Sequence, residues 1–246
     1  KLICLNLILN VMNSTLVVIF CYNVEENIKD IIEEIKKLSL NKNRDFLFIE
    51  DCSIDNTHKI LKSYKIKNAK IIRNKKNQGF GLNYKFSISY SLKKKYKKLI
   101  FLHGDNQYPA SKVTLIEKRL NTSSLCYGSR RLDYNNMKSQ MPKLRFFANI
   151  SLTFFINLLF NNNATEYFSG FRGLRVDKLK KLNLNKFADK WIIEQQIHFD
   201  FLNKKYPISE ISIPTIYKKS QISKIPPFNY VFSVIINAIR FSILRN

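Results

Sequence analysis

Glycine and proline are scarce. The 246 residues hold six of each, which excludes collagen-like repeats and the Gly/Pro-rich low-complexity class. Both common glycine-rich phosphate cradles are missing. There is no GxGxxG and no GxxxxGK followed by Ser or Thr, and "NQGFG" at 77–81 has only two glycines. A dinucleotide-dependent dehydrogenase and a P-loop NTPase are therefore disfavoured. The four cysteines, Cys4, Cys21, Cys52 and Cys126, stand far apart with no CxxC pair. That spacing fits a reducing compartment and ordinary packing rather than a disulfide framework. His58 and His198 lack partners at metal-ligand spacing and read as structural. The apolar start, KLICLNLILNV, is too short to span a bilayer. Met12 is an alternative start there, and a signal peptide is disfavoured because no small-residue cleavage site follows.

Acidic residues are also in short supply, 18 against 42 basic ones, for a formal charge of +24. This balance favours a polyanionic partner: nucleic acid, an anionic membrane or a phosphorylated ligand. No helix-turn-helix, finger or RNA-recognition signature accompanies it, so nucleic acid is disfavoured. The run Lys93–Lys95 with Lys97 and Lys98 reads as a solvated helix end.

What is present is a packed-core composition, 45 % hydrophobic. β-branched and aromatic runs at 14–20, 45–50, 69–73, 97–103 and 123–129 read as strands. Between them lie helical patterns, the clearest placing Ile28, Ile31, Ile32, Ile35 and Leu38 on one face. This alternation predicts an α/β fold with a doubly wound, mainly parallel sheet flanked by helices. The reading is one domain over 14–217, an extension at 1–13 and a basic, amphipathic tail at 218–246.

In such sheets ligands bind beyond the carboxyl ends of the strands. The strands end here on "CYN" (21–23), "EDCS" (50–53), "HGDNQ" (103–107) and "GSRR" (128–131). Carboxylates, amides and arginines gathered on one edge suit a nucleotide, a divalent cation and phosphates. Each also has a plainer reading. Asp51 and Ser53 are good capping or turn residues, Asp105 suits a turn cap, and Arg130 with Arg131 suits a solvated pair.

Seven segments, "VVIFCYNVEENI", "FIEDCSIDNT", "NQGFGLNYK", "FLHGDNQYP", "YGSR", "YFSGFR" and "EISIPTIY", follow in an order that resembles glycosyltransferase family 2. The nearest likeness is to dolichol-phosphate mannosyltransferase-like, polyprenyl-phosphate sugar transferases, and it covers residues 14–217. The resemblance implies a GT-A type, Rossmann-like fold, a nucleoside diphosphate sugar donor and Mg²⁺ or Mn²⁺. It implies that Tyr22, Asn23, Asp51 and Ser53 line the nucleotide pocket, with Asp51 accepting from the base imide. "LHGDNQYP" is similar to the family's metal segment, which assigns Asp105 and Gln107 to the cation, with His103, standing where an aspartate is usual, as a third candidate ligand. Phe20 replaces the family's proline. Arg130 and Arg145 would hold phosphates, because guanidinium forks match phosphate oxygens. Ser169, Gly170 and Arg172 match an acceptor-side motif, with Glu166 an acidic position just upstream. Glu194 stands near a family acidic residue as a candidate base; its alternative is a helix-surface carboxylate.

An ionised phosphate acceptor needs no general base, whereas a hydroxyl does. The arginines and the incomplete base motif favour polyprenyl phosphate. The alternatives are a glycan hydroxyl in surface-polysaccharide assembly or a degenerate nucleotide-sugar binder. Two apolar segments, 144–160 and 228–244, carry polar residues at spacing four: Arg145, Asn149, Thr153 and Asn157 in the first, Asn229, Ser233, Asn237 and Arg240 in the second. Each reaches about 26 Å as a helix. The second reads as an interfacial helix flanked by Lys218, Lys219 and Lys224. The alternative for both is a core or homodimer helix. The expected location is the cytoplasmic face of the membrane, peripherally bound.

Overall fold

The computed structural model describes residues 14–40, 43–216 and 227–243. The N-terminal extension with Cys4 and Met12, the 217/218 boundary, and Lys218, Lys219 and Lys224 lie outside these residues. Seven strands form one sheet: β1 Thr15–Cys21, β2 Arg44–Glu50, β3 Ala69–Arg73, β4 Lys98–His103, β5 Leu125–Ser129, β6 Arg172–Arg175 and β7 Ile208–Ser212. Their spatial order is β3-β2-β1-β4-β6-β5-β7. All pairings are parallel except those of β6, which runs antiparallel to both β4 and β5. β5 therefore runs in the same direction as β4, and the ends of β1, β2, β3, β4 and β5 share one edge.

The helices are α1 Ile28–Leu38, α2 Thr57–Ser63, α3 Phe80–Lys93, α4 Val113–Arg119, α5 Tyr134–Gln140, α6 Lys143–Phe160, α7 Val176–Leu179, α8 Ile193–Asn203 and α9 Pro227–Ile243. β1 shows how they sandwich the sheet. Val17, Ile19 and Cys21 point to the α1 layer, where Ile28, Ile31, Ile32 and Ile35 are buried. Leu16 and Val18 point to the opposite layer, against Tyr84 and Ile88 of α3. Each of those isoleucines contributes about 1.5–3 kcal/mol by leaving water. At the far edge a part-buried ion pair fastens strands to helix. Arg44 Nη2 meets Glu117 Oε2 at 2.5 Å and also donates to Thr114, while the Thr15 hydroxyl donates to Glu117 Oε1.

The five expected strands and their intervening helices are present, as is a C-terminal helix. β6 and β7 were not expected as strands. β6 is four residues long and carries two arginines and Gly173. Only close packing admits it between β4 and β5, for a Cβ on Gly173 would stand 2.3 Å from Ile116 Cγ2.

α6 and α9 lie side by side, sharing a core of Leu152, Ile156, Val234 and Ala238. The polar stripe of α6 faces the protein. Asn149 donates to Glu166 Oε1 (3.1 Å), Asn157 bonds the main chain of Ala164 in both directions (2.8 and 3.1 Å), and Thr153 is buried. These amides satisfy the irregular loop at 161–168, which explains why they turn inward. The outward face is Leu144, Phe147, Phe154 and Leu158. Among the described residues α6 is the one helix long and apolar enough to cross a membrane by length and composition. α9 repeats the arrangement: Asn237 Oδ1 accepts from Gln196 (2.7 Å), and Phe228, Phe232, Ile236, Ile239 and Ile243 face out.

Candidate active site

The last carbonyls of β1 hold two site loops. Asp51 N–H donates to Cys21 O (2.9 Å) and Gly104 N–H to Phe20 O (2.8 Å). Asp51 is nearly buried, and its carboxylate collects the loop after β3. Oδ1 accepts from Asn74 Nδ2 (2.7 Å) and Gln78 N–H (2.8 Å), and Oδ2 from Gly79 N–H (2.9 Å). Gly79 has φ +80°, which glycine adopts without a Cβ penalty. A carboxylate offers about four acceptor positions, so three are committed to shaping the pocket wall. Beside it Asn23, at φ 51°, donates its N–H to Ser53 Oγ (3.1 Å) and accepts Ile54 N–H on Oδ1 (3.0 Å). Asn23 and Ser53 thus lock two strand-end loops together, leaving Tyr22 at the rim, 37 % exposed. Glu50, fully buried behind them, accepts Ser53 N–H and pairs with Arg73 (2.8 Å).

The β4 loop turns sharply at Asn106, φ 58°, and Gln107 N–H donates to Asp105 Oδ1 (3.1 Å). No group of three His, Cys, Asp or Glu able to hold a metal occurs among the described residues. The donor set fits a hard cation that keeps one protein carboxylate and takes its other ligands from substrate phosphates and water. Asp105 suits that role. His103 corrects the expectation of a ligand. Its ring is packed among Phe20, Phe80 and Tyr108, and its buried Nε2 has no hydrogen-bond partner. A Cβ on Gly170 would sit 2.8 Å from that nitrogen. His103 is a wall residue whose neighbour must be glycine.

On the other side of β4, Arg130 leaves β5 and binds Glu166, which is fully buried. The Arg130 N–H donates to Oε2 (2.7 Å) and Nε to Oε1 (2.8 Å), with Nη2 also on Oε1. Arg130 therefore reaches the edge braced by a carboxylate. Arg145 lies half-buried in the first turn of α6. Arg172 corrects a second expectation. It is 1 % exposed, and its guanidinium donates to the main-chain carbonyls of Ser169 (2.7 Å), Glu194 (3.0 Å) and Tyr167 (2.5 Å), so it braces the 167–169 loop against α8 from behind. Ser169 is buried too, its Oγ accepting from Phe171 N–H.

Glu194 is not a helix-surface carboxylate. It is buried at the start of α8 with Oε1 unpaired. Burial pushes its carboxyl above the usual range, against the opposing charges of Arg172 and His103. Two tyrosines complete the wall. Burial pushes the Tyr108 hydroxyl up to about 12, with Arg130 opposing and Asp105 and Glu194 adding to it, and the hydroxyl accepts Gly170 N–H (3.0 Å). One buried hydroxyl thus lies within electrostatic reach of Asp105 after β4, Arg130 after β5 and Glu194 of α8. Tyr230 of α9 feels Arg172, Glu194 and Arg130, accepts from Gln195 (3.2 Å) and stacks on Trp191.

The profile of the family described as "Glycosyl transferase family 2" matches residues 16–182. The chain belongs to glycosyl transferase family 2. An uncharacterized protein of Methanocaldococcus jannaschii is 26 % identical to this glycosyltransferase over 231 residues, covering 91 % of each chain. The fold of this chain is similar to that of glucosyl-3-phosphoglycerate synthase from Mycobacterium tuberculosis. The UDP complex of that enzyme superposes with a TM-score of 0.68 at 13 % identity, covering 94 % of this chain and 80 % of the other. Its complex with Mn²⁺, UDP-glucose and phosphoglyceric acid gives 0.68 at 13 %, with the same coverage.

The structure brings the strand-end residues of this glycosyltransferase to one edge. Sequence reasoning gave no role to Tyr108, Asn74 or Tyr230. Tyr108 sits inside "DNQYP" and offered a signal, an aromatic with a hydroxyl next to candidate ligands. Tyr230 had none, because its place depends on how α9 packs.

Proposed function

We propose that this family 2 enzyme transfers a hexose, with inversion, from a nucleoside diphosphate sugar to polyprenyl phosphate. The carrying observation is the convergence of the Asp51-braced loops, Asp105 and the Arg130–Glu166 pair on one sheet edge. The solved structures with this fold bind UDP, Mn²⁺ and a phosphorylated acid, which is the same set of charges.

Tyr22, Asn23, Ser53 and the loop at 77–79 form the donor pocket, and Asp105 with Gln107 faces the diphosphate. Mg²⁺ or Mn²⁺, when bound there, supplies Lewis-acid stabilisation of the leaving diphosphate. Arg130, held in orientation by Glu166, and Arg145 neutralise phosphate on the acceptor side. An acceptor phosphate oxygen attacks the anomeric carbon in line. The carbon–oxygen bond to the donor breaks, and its electron pair leaves on the nucleoside diphosphate. Tyr230, Trp191 and Phe168, packed together beside Arg130 and Glu194, offer an apolar wall for a lipid chain.

A second reading, transfer to a glycan hydroxyl, is favoured by buried Glu194, a carboxyl of raised proton affinity suited to general-base work. The test incubates the protein, Mn²⁺ and labelled UDP- and GDP-sugars with polyprenyl phosphate in detergent or with soluble glycans. Label in the organic phase, retained by Glu194→Gln, supports the lipid phosphate. Label only on glycan, lost in that variant, overturns it.

A further inference from the structure

α6 and α9 are inside-out for a water-exposed pair. Asn149, Asn157, Asn237 and Thr153 face the protein interior, while Phe147, Phe154, Leu158, Phe228, Phe232 and Ile243 stand 64–83 % exposed. Side by side, the two helices pool these into one apolar face, and large faces of this kind mark interaction surfaces. The charge pattern of the sequence that carries it selects the occupant. Residues 134–165 and 211–246, which contain α6 and α9, include no Asp or Glu, though the chain has 18. They do contain Lys138, Lys143 and Arg145 in the first stretch, and Lys218, Lys219, Lys224, Arg240 and Arg245 in the second. A second copy would bring the same basic stretches, and another +24, against them. An anionic bilayer offers the complement to both features: apolar depth for the phenylalanines and negative headgroups for the basic residues of these two stretches.

We infer that the α6–α9 face docks on anionic lipid, both helices lying in the headgroup plane. α6 lies along the surface rather than crossing it, since Asn149 and Asn157 hydrogen-bond its other side to the domain and Leu152 and Ile156 pack into the core beside them. Tyr230, on the first turn of α9, then sets the catalytic cleft next to the headgroups. This docking requires no particular acceptor and is independent of the reaction proposed above.

The test is flotation of the full chain with vesicles that contain no polyprenyl phosphate, made of phosphatidylcholine with or without phosphatidylglycerol. The expected result is binding to the anionic vesicles, reduced by high salt and at least about tenfold weaker for the double variant Phe154→Glu/Phe232→Glu. Both side chains are mostly exposed, so nucleotide binding and circular dichroism should be unchanged. The inference is overturned if the wild type binds neither vesicle, if the double variant floats like the wild type, or if light scattering shows a wild-type dimer that the double variant converts to monomer.

Discussion

Two aspartates on neighbouring strand ends do different work. Asp51 accepts three N–H donors from the loop after β3, so removing it leaves those donors unpaired at a nearly buried point. Asp51→Ala should lower stability by about 3 kcal/mol as well as donor affinity, read by denaturant unfolding and by nucleotide calorimetry. Asp105 stands half-buried in a turn. Asp105→Ala should cut transfer by about three powers of ten with circular dichroism and melting temperature held; a fully active variant refutes its cation role. Glu194 is a third case. Burial raises its carboxyl pKa, so the folded state holds that proton more tightly than the unfolded chain does. The resulting stability is present below the free carboxylate value and is lost as pH rises through the folded-state value. Glu194→Gln removes the cost of a buried charge and should melt higher than wild type at pH 8, the two converging near pH 4. Equal melting temperatures at both values would contradict this account.

Between elements, the far edge of the sheet is the structural pole. Arg44 and Thr15 at the starts of β2 and β1 share the Glu117 carboxylate of α4. Glu117→Ala strands a buried guanidinium and should cost about 3–5 kcal/mol, measured as a lower denaturant midpoint, with KM for donor unchanged. Elements whose signals are local were legible in the sequence. The run "TLVVIFC" and the isoleucine face of α1 declare β1 and α1 without help from the rest of the chain. The strand ends were legible as a site because parallel topology gathers them whatever the details. β6 was not, since Arg172 and Arg175 bracket a four-residue strand that exists only by pairing with two neighbours. Nor was the burial of Arg172, which depends on the carbonyls of Tyr167 and Ser169 just upstream and of Glu194 on α8. For α6 the spacing of Asn149, Thr153 and Asn157 defined a polar stripe correctly. Periodicity carries no sign for which side meets the protein, and here it is the polar one.

At the scale of the whole molecule, the route of the chain through the sheet divides the cleft by ancestry of its parts. Donor-side residues arrive in one unbroken passage through β1 to β4. The chain then leaves the sheet after Ser129 and comes back at Arg172 on the same edge, because β6 is reversed relative to β5. Everything from 130 to 171 is one excursion that starts and finishes at neighbouring points. Such a segment can change in length without shifting the register of any strand beneath it, provided it keeps the bonds of Thr165 and Glu166 to Glu210 and the packing of α6 on α9. A graft of the corresponding segment from another family member should keep the grafted chain's nucleotide preference and import the donor relative's acceptor, and the sugar-nucleotide and acceptor panels would show the two properties parting company.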